Sequence, residues 1–236
     1  MAVSQLIVDV VIPARNEEES LPLVLRAIPK DAVRTIYVVD NGSTDATAKV
    51  AVQGGAQLLA EPNPGYGAAL LRGVNELVAL PRPPDVVVFL DGDYADEPSE
   101  LPWLLEPIRA GSADLVIGSR ALGEAEPGAL ALQQRVGTRV ATTMIRMIYG
   151  QRYTDLGPFR AIRLPALIAL GMSDAGHGWN IEMQVKAARG GLRIAEVPVS
   201  YRRRAGGRSK ISQTIKGSVA SSYKIIFTIL RHATSR

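Results

Sequence analysis

Four short runs of apolar, mostly β-branched residues punctuate the first half of the chain, at Leu6–Ile12, Ile36–Val39, Val86–Leu90 and Leu115–Ile117. Helical patterns separate them, at Glu17–Ile28, Asp45–Gln53, Ala68–Leu80 and Ser99–Ala110. Strand alternating with helix permits few folds. Parallel strands need crossover connections, and helical crossovers cover both faces of the sheet they join. A strand covered on both faces reads as an unbroken apolar run, and Val86–Leu90 reads that way. Ser43-Thr44-Asp45 and Ser99 suit the N-caps of the helices that follow them. The expected fold class is therefore α/β, a mostly parallel twisted sheet with helices on both faces.

Ligands of such sheets bind beyond the carboxyl ends of the strands. The first run leads into Pro13-Ala14-Arg15-Asn16-Glu17, the second into Asp40-Asn41-Gly42-Ser43, and the third into Asp91-Gly92-Asp93. Two carboxylates with one glycine between them can turn toward a single hard cation, and Mg²⁺ and Mn²⁺ commonly bridge carboxylates to a diphosphate. Asp40 can accept hydrogen bonds from a base or ribose, and the helix N-termini nearby favour phosphate. Gly65 and Gly67 would let backbone approach a ligand closely. A plain surface turn is the alternative for both glycine-containing stretches. No Gly-Lys-Ser/Thr phosphate loop occurs, and no G-x-G-x-x-G follows the first run. That argues against a phosphate-hydrolysing ATPase and a dinucleotide oxidoreductase.

The pattern changes after Arg120. A small-residue loop at 121–130 precedes a long helical pattern at 131–149, with Leu132, Val136, Val140, Met144, Met147 and Ile148 near one face. A strand-like Pro158–Arg163, a helix around Asn180–Arg189 and an alternating strand Leu192–Tyr201 follow. We read 1–200 as one domain and 201–236 as an appendage, a basic loop followed by an amphipathic helix. Residues 197–236 carry nine basic and no acidic side chains, and Ile211, Ile215, Val219, Ile226 and Leu230 recur at helical spacing. Such a segment suits an anionic membrane surface, with packing on the domain as the alternative. Nucleic acid is not expected, because the segment lacks the interleaved aromatics that stack bases. Cysteine is absent, which excludes disulfides and Cys-based metal sites. No signal peptide or membrane span is evident, so the expected location is cytoplasmic, peripheral at the inner face of the membrane.

The order and spacing of VVIPARNEEESL, VVDNGSTDAT, NPGYGAAL, FLDGDYADEPSEL, DLVIGSR, DLGPFRAI and GGRSKIS resemble the family 2 glycosyltransferases, and within them the dolichyl- or polyprenyl-phosphate mannose and glucose synthases. The resemblance spans residues 6 to about 215. It implies a GT-A fold, a UDP- or GDP-sugar donor and a divalent cation, Mg²⁺ or Mn²⁺. It places Pro13, Arg15, Glu17 and Asp40 on the nucleoside and Asp91 and Asp93 on the cation. Arg120 is then a candidate for donor or acceptor phosphate, and Arg135 and Arg139 for the acceptor. Arg204, Ser209 and Lys210 fall in the loop that closes over the diphosphate. Three features depart from the pattern: Ala95 where Gln is common, Asn41 where a second Asp is common, and no following pair of membrane helices.

The resemblance implies inverting transfer to a polyprenyl phosphate. A soluble phosphorylated or hydroxylated acceptor is the second reading, and a catalytically idle scaffold the third. A phosphate acceptor is already anionic, whereas a hydroxyl needs a base. Asp155 and Glu182 are the candidate bases. Each has a structural alternative: Asp155 pinning Arg160 or a loop, Glu182 capping its helix. His177 has no second histidine within metal-ligand spacing.

Overall fold

The structure is a computed structural model, and it describes residues 6–205. Ser209, Lys210 and the amphipathic pattern at 211–230 lie outside those residues. Seven strands form one sheet: β1 (Val8–Ala14), β2 (Thr35–Asp40), β3 (Gln57–Ala60), β4 (Val86–Phe89), β5 (Leu115–Ser119), β6 (Arg160–Arg163) and β7 (Ile194–Pro198). Among the described residues seven helices surround it: α1 (Leu21–Ala27), α2 (Thr47–Gln53), α3 (Tyr66–Ala79), α4 (Leu101–Arg109), α5 (Leu132–Tyr149), α6 (Leu164–Leu170) and α7 (Trp179–Arg189).

The strand order is β3-β2-β1-β4-β6-β5-β7. All neighbours pair in parallel except β6, which runs antiparallel between β4 and β5. That reversal matters for the site. Arg160 pairs with Phe89 and with Ile117, so the residues entering β6 arrive at the edge where β4 and β5 end. The register also pairs Ala14 with Asp40 and Val11 with Phe89, which brings the loops after β1, β2 and β4 to that same edge.

β1 and β4 are buried on both faces, as their unbroken apolar runs require. One face packs on α1 and α4 through Leu21, Leu25, Leu101 and Leu105, the other on α3 and α7 through Leu70, Leu77, Trp179 and Met183. Of the expected helix caps, Ser99 does not serve and Asp45 does. Glu97, rather than Ser99, caps the turn at Pro98–Glu100, its carboxylate accepting from the Ser99 amide. Asp45 accepts from the Thr47 amide and hydroxyl, which starts α2 at Thr47.

Helix α5 carries its apolar residues differently from the other helices. Ala141, Thr142 and Ile145 are its buried face, while Leu132, Val136, Val140, Met147 and Ile148 are exposed.

Candidate active site

The aligned strand ends open onto a cleft of about 520 Å³. Pro13 near the end of β1, Arg15 and Glu17 after it, Asn41 after β2, Asp91 and Asp93 after β4, and Arg204 from the chain's later return all line it. Local hydrogen bonding fixes the walls. Asn16 sits at φ 54°, a left-handed conformation that Asn tolerates. Its amide donates to the Ser43 hydroxyl at 3.0 Å, and its side-chain oxygen accepts from the Thr44 amide at 2.8 Å. The first two loops are thereby tied together.

Asp91 accepts from the Tyr66 hydroxyl at 2.9 Å. Burial, and next the neighbouring charge of Asp93, push its carboxyl up to about 7. Asp93 turns one oxygen to the Ala95 amide at 3.0 Å and the other to Arg204 Nε at 2.8 Å. The Ala205 amide also donates to the Asp93 carbonyl, and the Arg202 amide to that of Ala95. The segment ending in Arg204 thus lies across the Asp91–Asp93 loop.

Asp96 is buried, and neither carboxylate oxygen has a hydrogen-bond partner. Burial and the charges of Asp91 and Asp93 raise its carboxyl well above the usual range, with Arg120 opposing them. Three carboxylates in so confined a place fit a site built for added positive charge. Among the described residues no three acidic or histidine side chains converge as a closed metal cage. A cation held by Asp91 and Asp93 alone would keep most of its coordination for water and phosphate oxygens, which is how Mg²⁺ is usually bound.

Asp40 does not line the cleft; its carboxylate accepts from the Ser43 amide at 3.2 Å and from the Ser43 hydroxyl. The neighbouring Asn41 does. Its side-chain nitrogen donates to the carbonyls of Glu61 and Asn63 at 2.9 and 2.7 Å, and its oxygen accepts from the Gly65 amide at 2.8 Å. An aspartate could make only the last of these bonds, so Asn41 is the strut that holds the 61–65 loop against the cleft.

Gly65 lines the cleft, whereas Gly67 does not, and both are positions of tight packing. A Cβ on Gly65 would lie 2.2 Å from the Ala175 carbonyl oxygen, and one on Gly67 1.9 Å from that of Asp174. The Gly67 and Ala68 amides donate to Gly176 and Ala175, so the 174–176 loop already occupies the start of α3. His177 comes with this loop and stacks on Tyr66, ring centres 6.2 Å apart.

A second, larger cavity of about 810 Å³ adjoins the first, and Arg120 and Gln134 line both. Arg135, Arg139 and Arg146 of α5 and Arg152 beyond it also line this cavity. Among the described residues none of these four pairs with a carboxylate. Arg120 is held by a fork of two 2.7 Å bonds to Asp155, and lies over the Tyr201 ring at 4.9 Å.

That fork commits both Asp155 oxygens to Arg120. Burial alone would raise its carboxyl, but the hydrogen bonds and charge of Arg120 overcome this and hold it below the usual range. Glu182 is likewise committed, accepting from the Ser173 amide and hydroxyl, the Asp174 amide and Lys186, and it lines neither cavity. It braces the 173–174 loop. Arg160, fully buried, donates to the carbonyls of Gly157 and Asn180 instead of to Asp155. Burial brings its guanidinium down to about 10.

Tyr66, Asn180 and Tyr201 also line this first cleft without having been singled out by sequence. Tyr66 stands inside the Asn63–Gly67 motif, which was its one available signal. Asn180 and Tyr201 have none, because only the fold brings them to this edge.

This sheet, with paired aspartates after the fourth strand and a basic segment laid across them, is the GT-A architecture of nucleotide-sugar transferases. Residues 9–171 match the model of glycosyl transferase family 2, and the chain belongs to that family of glycosyltransferases. It is 42% identical to an uncharacterised glycosyltransferase of Mycobacterium tuberculosis, over 90% of this chain and 93% of that one. It is 34% identical to the undecaprenyl-phosphate mannosyltransferase of Micrococcus luteus, over 88% of each. Among solved structures it resembles glucosyl-3-phosphoglycerate synthase from M. tuberculosis in complex with Mn²⁺, UDP-glucose and phosphoglyceric acid. That match has a TM-score of 0.77 at 26% identity and covers 98% of this chain and 81% of that one.

Proposed function

We propose that the chain transfers a hexose from a UDP- or GDP-sugar to a polyprenyl phosphate, with inversion at the sugar. The observation that carries this reading is the junction of the two cavities at Arg120. One cavity has the two aspartates suited to a cation-bound diphosphate. The other has arginines free of acidic partners among the described residues, which suits an anionic acceptor. A phosphate acceptor attacks as an anion and needs no base, in keeping with the commitments of Asp155 and Glu182. Both comparisons point to anionic acceptors: the Micrococcus relative is named for undecaprenyl phosphate, and the synthase was solved with phosphoglyceric acid. The higher identity of the former favours the lipid phosphate.

Pro13, Arg15 and Glu17 would face the nucleoside. Asp91 and Asp93 would hold Mg²⁺ or Mn²⁺, which when bound supplies Lewis-acid stabilisation of the departing diphosphate. Arg204, freed from Asp93, would turn to the diphosphate, and Ser209 and Lys210 would join it from outside the described residues. Arg120, fixed by Asp155, would orient the incoming phosphate, with Arg135 and Arg139 behind it.

The test is transfer from UDP- and GDP-sugars to detergent-solubilised polyprenyl phosphate, against phosphoglycerate and a neutral sugar, with and without EDTA. Transfer to the lipid phosphate that EDTA abolishes, and that Asp93→Ala lowers at least a hundredfold, is expected. Turnover with the neutral sugar alone would overturn the reading. Preference for phosphoglycerate would move it to a soluble acceptor.

A further inference from the structure

Helix α5 has a surface that the two cavities leave unused. Leu132, Val136, Val140 and Met147 are 72%, 55%, 46% and 73% exposed. At 3.6 residues per turn they fall within an arc of roughly 80°. Arg135, Arg139 and Arg146 occupy the adjoining arc, between this stripe and the arginine-lined cavity. No aspartate or glutamate occurs from Pro127 to Thr154. Apolar residues exposed in a line mark an interaction surface, and an apolar stripe edged by arginines is the pattern of a helix lying in a lipid interface.

We propose that α5 is a docking element for an anionic bilayer. The stripe enters the boundary between headgroups and acyl chains, and the arginine row meets lipid phosphates. Charge decides between occupants: an acid-free helix edged by three arginines complements an anionic lipid surface, whereas a second copy of this chain would set arginine against arginine. In this pose the arginine-lined cavity opens at headgroup level, so a lipid-borne phosphate could enter it without leaving the bilayer. The proposal deepens, and rests on, the lipid-phosphate reading of the acceptor.

The absence of cysteine provides the test. An environment-sensitive fluorophore is attached to Val136→Cys or Met147→Cys in the full chain, with Val52→Cys, exposed on α2, as the control. Vesicles of phosphatidylglycerol and phosphatidylcholine should blue-shift the α5 labels and leave the α2 label unmoved. Lipids carrying a quencher on the acyl chain should quench the α5 labels alone. Changing Leu132, Val136 and Met147 together to serine should weaken vesicle affinity at least tenfold without altering the thermal shift produced by UDP or GDP. Sedimentation with vesicles while the α5 labels stay unchanged would overturn the proposal and place attachment elsewhere in the chain. So would a blue shift that needs no lipid and grows with protein concentration, the sign of a second copy. Docking as described, together with transfer to phosphoglycerate alone, would support the docking element and overturn only the acceptor reading.

Discussion

At the scale of single residues, the site rests on side chains that spend their hydrogen bonds holding other parts of the site. Asn41 is the sharpest case. Replacing it with aspartate keeps the shape and removes both donors, leaving the Glu61 and Asn63 carbonyls facing a carboxylate. An unsatisfied buried group costs about 1–3 kcal/mol. Asn41→Asp should therefore lower Tm by several degrees in a thermal melt and loosen the 61–65 loop, weakening nucleoside diphosphate binding measured by calorimetry. The Arg120–Asp155 fork gives a pH dependence. Asp155 titrates lower in the folded chain than unfolded, so its contribution is complete above the ordinary carboxylate value of about 4 and is lost as the pH falls through the lower folded value. Asp155→Asn should reduce stability at neutral pH and flatten the acid limb of a urea-midpoint profile, on the acid side of the ordinary carboxylate value. An unchanged acid limb would mean the fork contributes no net stability. Neither partnership was legible in the sequence. Asp155 and Arg120 are 35 residues apart, and only the antiparallel entry of β6 joins them. By contrast Asp91 and Asp93 announce themselves, because the motif and the strand before it are contiguous.

At the scale of elements, the legible ones are those with a two-sided demand. β1, β2, β4 and β5 are apolar runs because helices cover them. β3 lies at the sheet edge, mostly exposed, and Gln57–Ala60 has no pattern to betray it. α6 follows β6 without a loop and opens on Pro165, so its pattern merges with the strand. The apolar spacing of α5 was visible, but spacing alone does not say which face is buried. Two glycines separate these environments. Gly67→Ala sets a Cβ against backbone of the 174–176 loop, which cannot swing aside as a side chain can. Overpacking of this kind costs about 1–3 kcal/mol, and the displaced loop carries His177. A Cβ on Gly137, midway along α5, meets nothing within 4 Å. Gly137→Ala should raise stability by about 0.5–1 kcal/mol through helix propensity alone. Denaturant midpoints of the two variants should move in opposite directions, and a shared direction would refute the assignment of Gly67 to packing.

For the whole molecule, the sheet edge concentrates charge of both signs across a short span. Asp91, Asp93 and Asp96 crowd one side of Arg120, and the arginines of α5 crowd the other. In the first group Arg204 pairs with only one of the three carboxylates, and the arginines of the second have no carboxylate partner among the described residues, so donor and acceptor binding should each relieve a charge imbalance. Ligand that binds only the folded state stabilises it by about 2.7 kcal/mol at a hundredfold excess over Kd. For a chain of this size each kcal/mol moves Tm by roughly 2–4 °C. The preferred nucleoside diphosphate with Mn²⁺ should therefore raise Tm by about 5–10 °C. EDTA should remove most of that gain, because the diphosphate would then meet Asp91 and Asp93 without compensation. Arg204→Ala should shrink the gain without abolishing it, since the two aspartates remain. Comparing UDP with GDP in the same melt would identify the donor base, which no side chain of the cleft announces in the sequence. A shift of equal size with and without EDTA would separate diphosphate binding from the cation and overturn the assignment of Asp91 and Asp93.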